Sequence, residues 1–134
     1  MSYEAWERGV PEHLRADPLW TLRVYRLALY AGELGRRDSA RLARVPMCGH
    51  LADQLRRATD SISSNIAEGY GRESMKDRAR YYEYAVGSAR ESRDWYYKAR
   101  ASLGPDATES RLSLHTSIVR IMTTLATRHR QAKQ

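Results

Sequence analysis

The sequence predicts an all-α fold, an antiparallel up-and-down four-helix bundle, on three observations. In four segments apolar residues recur every three or four positions, which lines them along one face of a helix. No segment carries a convincing strand signal. The links between segments are short, so consecutive helices turn back on one another.

The 134 residues suit one domain with a real core, and an apolar fraction of 42% with a charged fraction of 29% is that of a soluble globular protein. There is no apolar run of membrane-spanning length and no charged-then-apolar leader, which predicts a cytoplasmic protein with no membrane partner. Cys48 is the single cysteine, so no disulfide can staple the chain from within.

Residues 1–17 read as an N-terminal arm interrupted by Gly9 and Pro11, with Trp6 and Leu14 placed to tuck it against the body. Asp17-Pro18 opens a bundle domain expected over 18–130, because aspartate caps free N–H groups and proline fits the first helical position. The first helix has two apolar stripes, one of Trp20, Val24, Leu27, Ala31 and Leu34 and one of Leu22, Tyr25 and Leu29. A helix so apolar needs more than one neighbour. Gly35 is expected to end it, leaving a basic link from Arg36 to Pro46.

The other helices are arranged around the stretch from Leu51 to Gly71. Leu51, Leu55, Ala58, Ile62 and Ile66 form its apolar face, with the small residues Ser61, Ser63, Ser64, Ala67 and Gly69 beside it. Gly69 and Gly71 are expected to end this helix through their permissive backbone. Ser74 and Asp77 then match a capping box. In the third helix Met75, Ala79, Tyr82, Val86, Ala89, Tyr96, Ala99 and Leu103 keep a near-heptad spacing, with Ser92 or Arg93 at the missing position. Gly87 costs about 1 kcal/mol against alanine in mid-helix. That cost predicts a close contact, with Gly87, Ser88 and Ala89 seated on the Ser63–Ala67 patch.

Gly104-Pro105 breaks the chain, and Asp106 with Glu109 repeats the capping pattern. Leu114, Ile118, Ile121 and Leu125 form the stripe of a fourth helix, followed by a frayed tail over 131–134. The chain has no phenylalanine, and Tyr81, Tyr84 and Tyr97 cannot all face one stripe. Exposed tyrosine at this density points to a subunit contact or a stacking surface.

The run QLRRATDSISSNIAEGYGR, followed by KDRARYYEYAVGSARES, resembles the four-helix bundle proteins encoded in intervening sequences of 23S ribosomal RNA genes. LWTLRVYRLALYAGEL resembles that family's first helix, and the likeness covers residues 18–104. Family members usually carry phenylalanines after the first helix and after the A-E-G turn, where this chain has none, and its Arg36–Pro46 link is longer than typical. The resemblance implies a homo-oligomeric ring of up-and-down bundles, with pentamers the expected form. It also implies kinship with the accessory bundle proteins of diversity-generating retroelements, which are basic, pentameric, and engage a reverse transcriptase and nucleic acid. No catalytic residue comes with it.

Net charge is −2 over residues 1–17, +4 over 18–46, 0 over 47–72, +2 over 73–105 and +3 over 106–134. Such a field attracts phosphates or acidic partners. Arg36, Arg37, Arg41, Arg44, Arg56, Arg57 and Arg72 are the candidates for contacts to RNA or DNA, and a ring would repeat each patch by symmetry. The competing reading pairs them with Asp53, Asp60 and neighbouring carboxylates on a solvated face. Arg57, Asn65, Glu68, Ser88 and Glu91 are expected to form a polar network that pins the second and third helices in one register, with a ligand pocket as its alternative.

Cys48 and His50 lack further ligands at a metal-binding spacing, since His13, His115 and His129 stand apart from them. There is no paired Glu-x-x-His motif, no Walker-type phosphate loop and no G-x-S-x-G elbow. No metal, cofactor or enzymatic activity is expected. The sequence therefore predicts a non-enzymatic accessory protein that binds nucleic acid or a ribonucleoprotein, the alternative being a protein–protein scaffold without nucleic-acid binding.

Overall fold

Two of the expected helix openings are made by side chains. Ser74 Oγ accepts the Asp77 N–H at 3.0 Å, which caps the third long helix. Asp17 Oδ1 accepts the Leu19 N–H at 2.8 Å, but the segment it starts is a 3₁₀ turn over Pro18–Thr21 rather than the helix itself. A computed structural model of the chain describes residues 1–132, so Lys133 and Gln134 of the expected frayed tail lie outside the described residues. In order, the elements are α1 (Tyr3–Arg8), α2 (Glu12–Arg15), the 3₁₀ turn, α3 (Arg23–Leu42), α4 (Gly49–Tyr70), α5 (Met75–Lys98), α6 (Arg100–Leu103) and α7 (Pro105–Gln131). No strand occurs among the described residues.

α3 does not stop at Gly35. It runs on through most of the segment that reads as a basic link, because Asp38, Ser39 and Leu42 continue its buried face. Gly35 marks a close approach instead. A Cβ there would lie 2.2 Å from Thr59 Oγ1 and 2.7 Å from Thr59 Cβ, so only glycine lets α4 sit this near. Gly69 plays the same part against α5, where a Cβ would meet Tyr82 Cε1 at 2.8 Å. Gly71 ends α4 with an ordinary right-handed φ of −80°, so neither glycine is needed for unusual backbone.

Gly104 is needed for it. Its φ is +88°, and with Pro105 in the first turn it starts α7 without a side-chain cap, so the Asp106/Glu109 capping box does not form.

The contact predicted between Gly87 and the Ser63–Ala67 patch is also corrected. Gly87 is exposed, and a Cβ on it would meet nothing within 4 Å. Ser64 is exposed as well, its hydroxyl donating to Asp60 O within α4 at 3.1 Å. The two helices do meet through other members of these segments, by a hydroxyl–hydroxyl bond between Ser61 and Ser88 and through buried Ile62, Ile66, Ala85 and Ala89.

The four long helices pack in cyclic order, α3 on α4, α4 on α5, α5 on α7 and α7 on α3, which fits a helical bundle. Two apolar clusters fill it. The larger joins Val24, Leu27 and Ala31 of α3, Ile62 and Ile66 of α4, Tyr82, Ala85 and Ala89 of α5, and Ile118 and Met122 of α7. The smaller joins Leu42, Ala52, Leu55, Tyr96, Ala99 and Leu103. Ser92 fills the gap in the α5 stripe, fully buried, with its hydroxyl donating to Ala89 O at 3.2 Å. In α7 the buried line runs through His115, Ile118, Val119, Met122 and Ala126, while Leu114, Ile121 and Leu125 stand partly exposed at its edge.

The arm is held by aromatic rings. Trp6 lies 6.2 Å from Trp20 and 5.5 Å from Tyr30 between ring centroids, and Tyr30 Oη donates to Met1 O at 2.6 Å. Leu14 takes no such part and is 38% exposed.

Candidate nucleic-acid interface

The buried polar groups decide which charges are left for the surface. Asp38 of α3 accepts from Tyr96 Oη of α5 at 2.7 Å, and from Arg111 of α7 through Nε at 2.7 Å and Nη2 at 3.3 Å. One carboxylate thus ties three helices together. Burial, reinforced by the Asp38 charge, raises the Tyr96 phenol well above its usual range, so it stays a donor. Burial works against the Arg111 charge, but the bond and charge of Asp38 outweigh it and hold the guanidinium above its ordinary value.

His115 lies against this group, fully buried, with Nδ1 2.8 Å from Arg111 O. A carbonyl only accepts, so Nδ1 carries the proton and Nε2 is left without a partner. Burial lowers its pKa to about 4, which makes it a neutral imidazole at pH 7.

The network expected from Arg57, Asn65, Glu68, Ser88 and Glu91 does not form. Asn65 Nδ2 donates to Ser61 O within its own helix at 2.9 Å, Glu68 pairs with Arg72, Arg57 pairs with Asp53 at 3.0 Å, and exposed Glu91 accepts from Trp95 Nε1 at 3.5 Å. Only Ser88 reaches across to α4. The other four each take a partner four residues away along the chain.

Of the seven candidate arginines, five are in ion pairs. Arg36 meets Asp60 at 2.6 Å, Arg37 meets Glu33 at 3.3 Å, Arg56 and Arg57 share Asp53 at 3.0 Å each, and Arg72 meets Glu68. Hydrogen bonding from Arg56 and the charges of both arginines hold the Asp53 carboxyl below the usual carboxylate range. Exposed pairs of this kind contribute little to stability, so a phosphate can take the place of the carboxylate at small cost. Arg41 and Arg44 have no carboxylate partner among the described residues.

Partly and half-exposed aromatic rings lie beside cations in both halves of α5. Tyr81 and Tyr84 meet edge to face at 5.5 Å, and the guanidiniums of Arg72 and Arg80 lie 4.8 and 5.3 Å from the Tyr81 ring centre. Arg72 also donates to Tyr81 Oη at 3.0 Å. Toward the other end Arg100 covers Tyr97 at 4.0 Å, and Trp95 lies between His50 at 6.0 Å and Lys98 Nζ at 4.6 Å. Arg41 and Arg44 leave α3 at this end, where Leu42 packs with Ala99 and Leu103 and Cys48 Sγ lies 3.9 Å from Ser102 Oγ. Tyr84 and Tyr97 are about half exposed, which leaves ring faces for a nucleobase.

Sequence reading finds the tyrosines but not Arg80, Lys98 and Arg100. For Lys98 and Arg100 the signal is local: Trp95 and Lys98 are three residues apart on α5, and Tyr97 and Arg100 are three apart across the junction of α5 and α6. Among the described residues no group of three or more His, Cys, Asp or Glu side chains is placed to hold a metal ion, and no helix is long and apolar enough to cross a membrane.

The model of the 23S rRNA-intervening sequence protein family matches residues 49–125, which spans most of α4 through α7. Among solved structures, the chain is similar to a crystal structure of a protein of unknown function from the S23 ribosomal protein family of Bacteroides thetaiotaomicron. The two are 19% identical and superpose with a TM-score of 0.73, over 77% of this chain and 97% of that one. That likeness shows a shared fold. No curated protein matches the chain.

Proposed function

The chain belongs to the 23S rRNA-intervening sequence protein family, and on that premise we propose a non-enzymatic, oligomeric accessory protein that binds nucleic acid or a ribonucleoprotein through its basic surfaces. One observation carries this reading: half-exposed Tyr84 and Tyr97 stand beside the partly buried rings of Tyr81 and Trp95, with cations on three of the four rings, one of them Arg72, whose carboxylate partner is exchangeable. Stacking handles bases without reading sequence, and the arginines supply phosphate contacts. Fluorescence polarisation of a labelled single-stranded RNA tests it. Tyr84→Ala with Tyr97→Ala should weaken binding at least about thirtyfold, since two stacked bases are lost and each is worth about 1–3 kcal/mol. Unchanged affinity would count against the stacking surface.

The assembly belongs to the same proposal. Cyclic packing of α3, α4, α5 and α7 suits an antiparallel up-and-down bundle, and a homo-oligomeric ring, a pentamer in the expected form, would repeat each cation–aromatic patch around its axis. A cytoplasmic ring of this kind would offer a surface to a reverse transcriptase or another protein partner. Native mass measurement should return five chains per particle, and a monomer at micromolar concentration would contradict the ring.

The ion pairing of Arg36, Arg37, Arg56, Arg57 and Arg72 favours a second reading, a scaffold for proteins alone. Under that reading no RNA is retained even at low salt.

A further inference from the structure

α3 and α7 meet along the shortest of the four long-helix seams. Where that seam opens there is a groove of about 390 Å³. Its floor is aliphatic, made by Leu22 and Val24 at the start of α3 and by Ile121 and Leu125 on α7. Its rim is cationic, with Arg23 on one wall and Arg120 and Arg128 on the other.

All three rim arginines are exposed, and none has a carboxylate partner among the described residues, unlike Arg36, Arg56 or Arg130. Thr124, between Arg120 and Arg128, donates its hydroxyl to Arg120 O at 3.1 Å and adds no charge. The sequence after Glu109 contains no acidic residue, so the part of α7 that carries Arg120 and Arg128 offers nothing to neutralise this rim. The groove therefore pairs an uncovered apolar floor with three uncompensated positive charges.

We infer that this groove docks an acidic amphipathic helix of a partner protein. Aliphatic side chains at i, i+3 and i+4 of that helix settle on Leu22, Ile121 and Leu125, and flanking carboxylates take bidentate bonds from Arg23, Arg120 and Arg128. Nucleic acid fits less well, because no aromatic ring lines the groove for a base and phosphates leave the aliphatic floor wet. This site is separate from the α5 surface and does not depend on RNA binding there.

The test uses the full chain and a fluorescein-labelled helical peptide of about 16 residues, with leucines at heptad spacing flanked by glutamates. Its control replaces every glutamate with lysine. The acidic peptide should bind at least about tenfold more tightly than the basic one, and Arg120→Glu with Arg128→Glu should invert that order. Arg120→Gln with Arg128→Gln should weaken the acidic peptide without inverting the preference. Both positions are exposed, and an unchanged circular dichroism melt confirms that the variants fold.

Equal binding of both peptides, or binding of neither, overturns the inference. Displacement of the acidic peptide by single-stranded RNA overturns it too, by giving the groove to nucleic acid. A fall in the chain's own native mass in the charge-reversed variant gives the groove to a second copy and likewise overturns it. An inverted peptide preference with RNA affinity retained supports it and separates it from the reading of α5.

Discussion

Asp38 and Asp53 each hold two partners, and the difference between them separates what builds this molecule from what it can lend to a ligand. Asp38 draws Tyr96, itself a member of the smaller apolar cluster, and Arg111 from two other helices into a buried site. Asp53 draws Arg56 and Arg57 from its own helix, three and four residues on, in solvent. In the first arrangement, removing either member of the Asp38–Arg111 pair alone strands a buried charge. The second can be exchanged for water, salt or phosphate with the backbone unmoved.

The largest effect should come from breaking the inner arrangement on one side only. Arg111→Leu leaves the Asp38 carboxylate, only 10% exposed in the intact chain, with Tyr96 as its remaining partner, and should cost about 3–5 kcal/mol in urea unfolding. Adding Asp38→Leu should recover most of that loss, because a well-packed apolar pair substitutes for a buried ionic one. If the double variant is as unstable as the single, the layer does more than satisfy itself.

Acid should act next. His115 has a folded pKa of about 4 against an unfolded value of 6.5, so the unfolded chain takes up the proton first as pH falls. Its contribution is intact above pH 6.5 and is lost progressively toward pH 4, by about 3 kcal/mol in all. In denaturation curves measured at successive pH values, His115→Leu should flatten this slope.

Gly35→Ala should cost about 1–3 kcal/mol by forcing α3 off Thr59, and Thr59→Ala should return part of it. Gly87→Ala should instead stabilise by up to about 1 kcal/mol, since the site is open and helical. Thermal melts of the two variants moving in opposite directions would confirm that only one of these glycines is a contact.

The smallest change in stability is expected outside. Arg36→Ala should move unfolding by no more than about 0.5 kcal/mol while weakening RNA retention. A large loss of stability there would blur the contrast between the two regions.

The helices were largely legible because each is amphipathic, and the α5 cap at Ser74 was readable from local spacing. Gly35 and Gly87 were misread for one reason. A glycine's use depends on what faces it, and sequence does not say whether that is Thr59 or open space. Reading Gly35 as a stop hid Asp38, although Asp38 and Leu42 keep the helical spacing of the stripe before them.

The buried layer was missed in turn, since its members are far apart in the chain and each looks ordinary alone. The expected network fails from the opposite side: Arg57, Asn65 and Glu68 are close in sequence, and each takes a local partner four residues away along the chain. For the candidate site, the tyrosines were visible as an excess that one stripe could not hold. Their cationic companions were not, because a lysine or arginine on a helix surface is unremarkable until a ring is placed beneath it.

The most direct test of this division of labour is the affinity of the intact chain for single-stranded RNA as a function of salt. If the paired surface arginines move onto phosphates, the logarithm of affinity should fall linearly with the logarithm of salt concentration, with a slope of about −2 or steeper, at about −0.7 per contact. A flat response, with binding either absent or indifferent to salt, would contradict it.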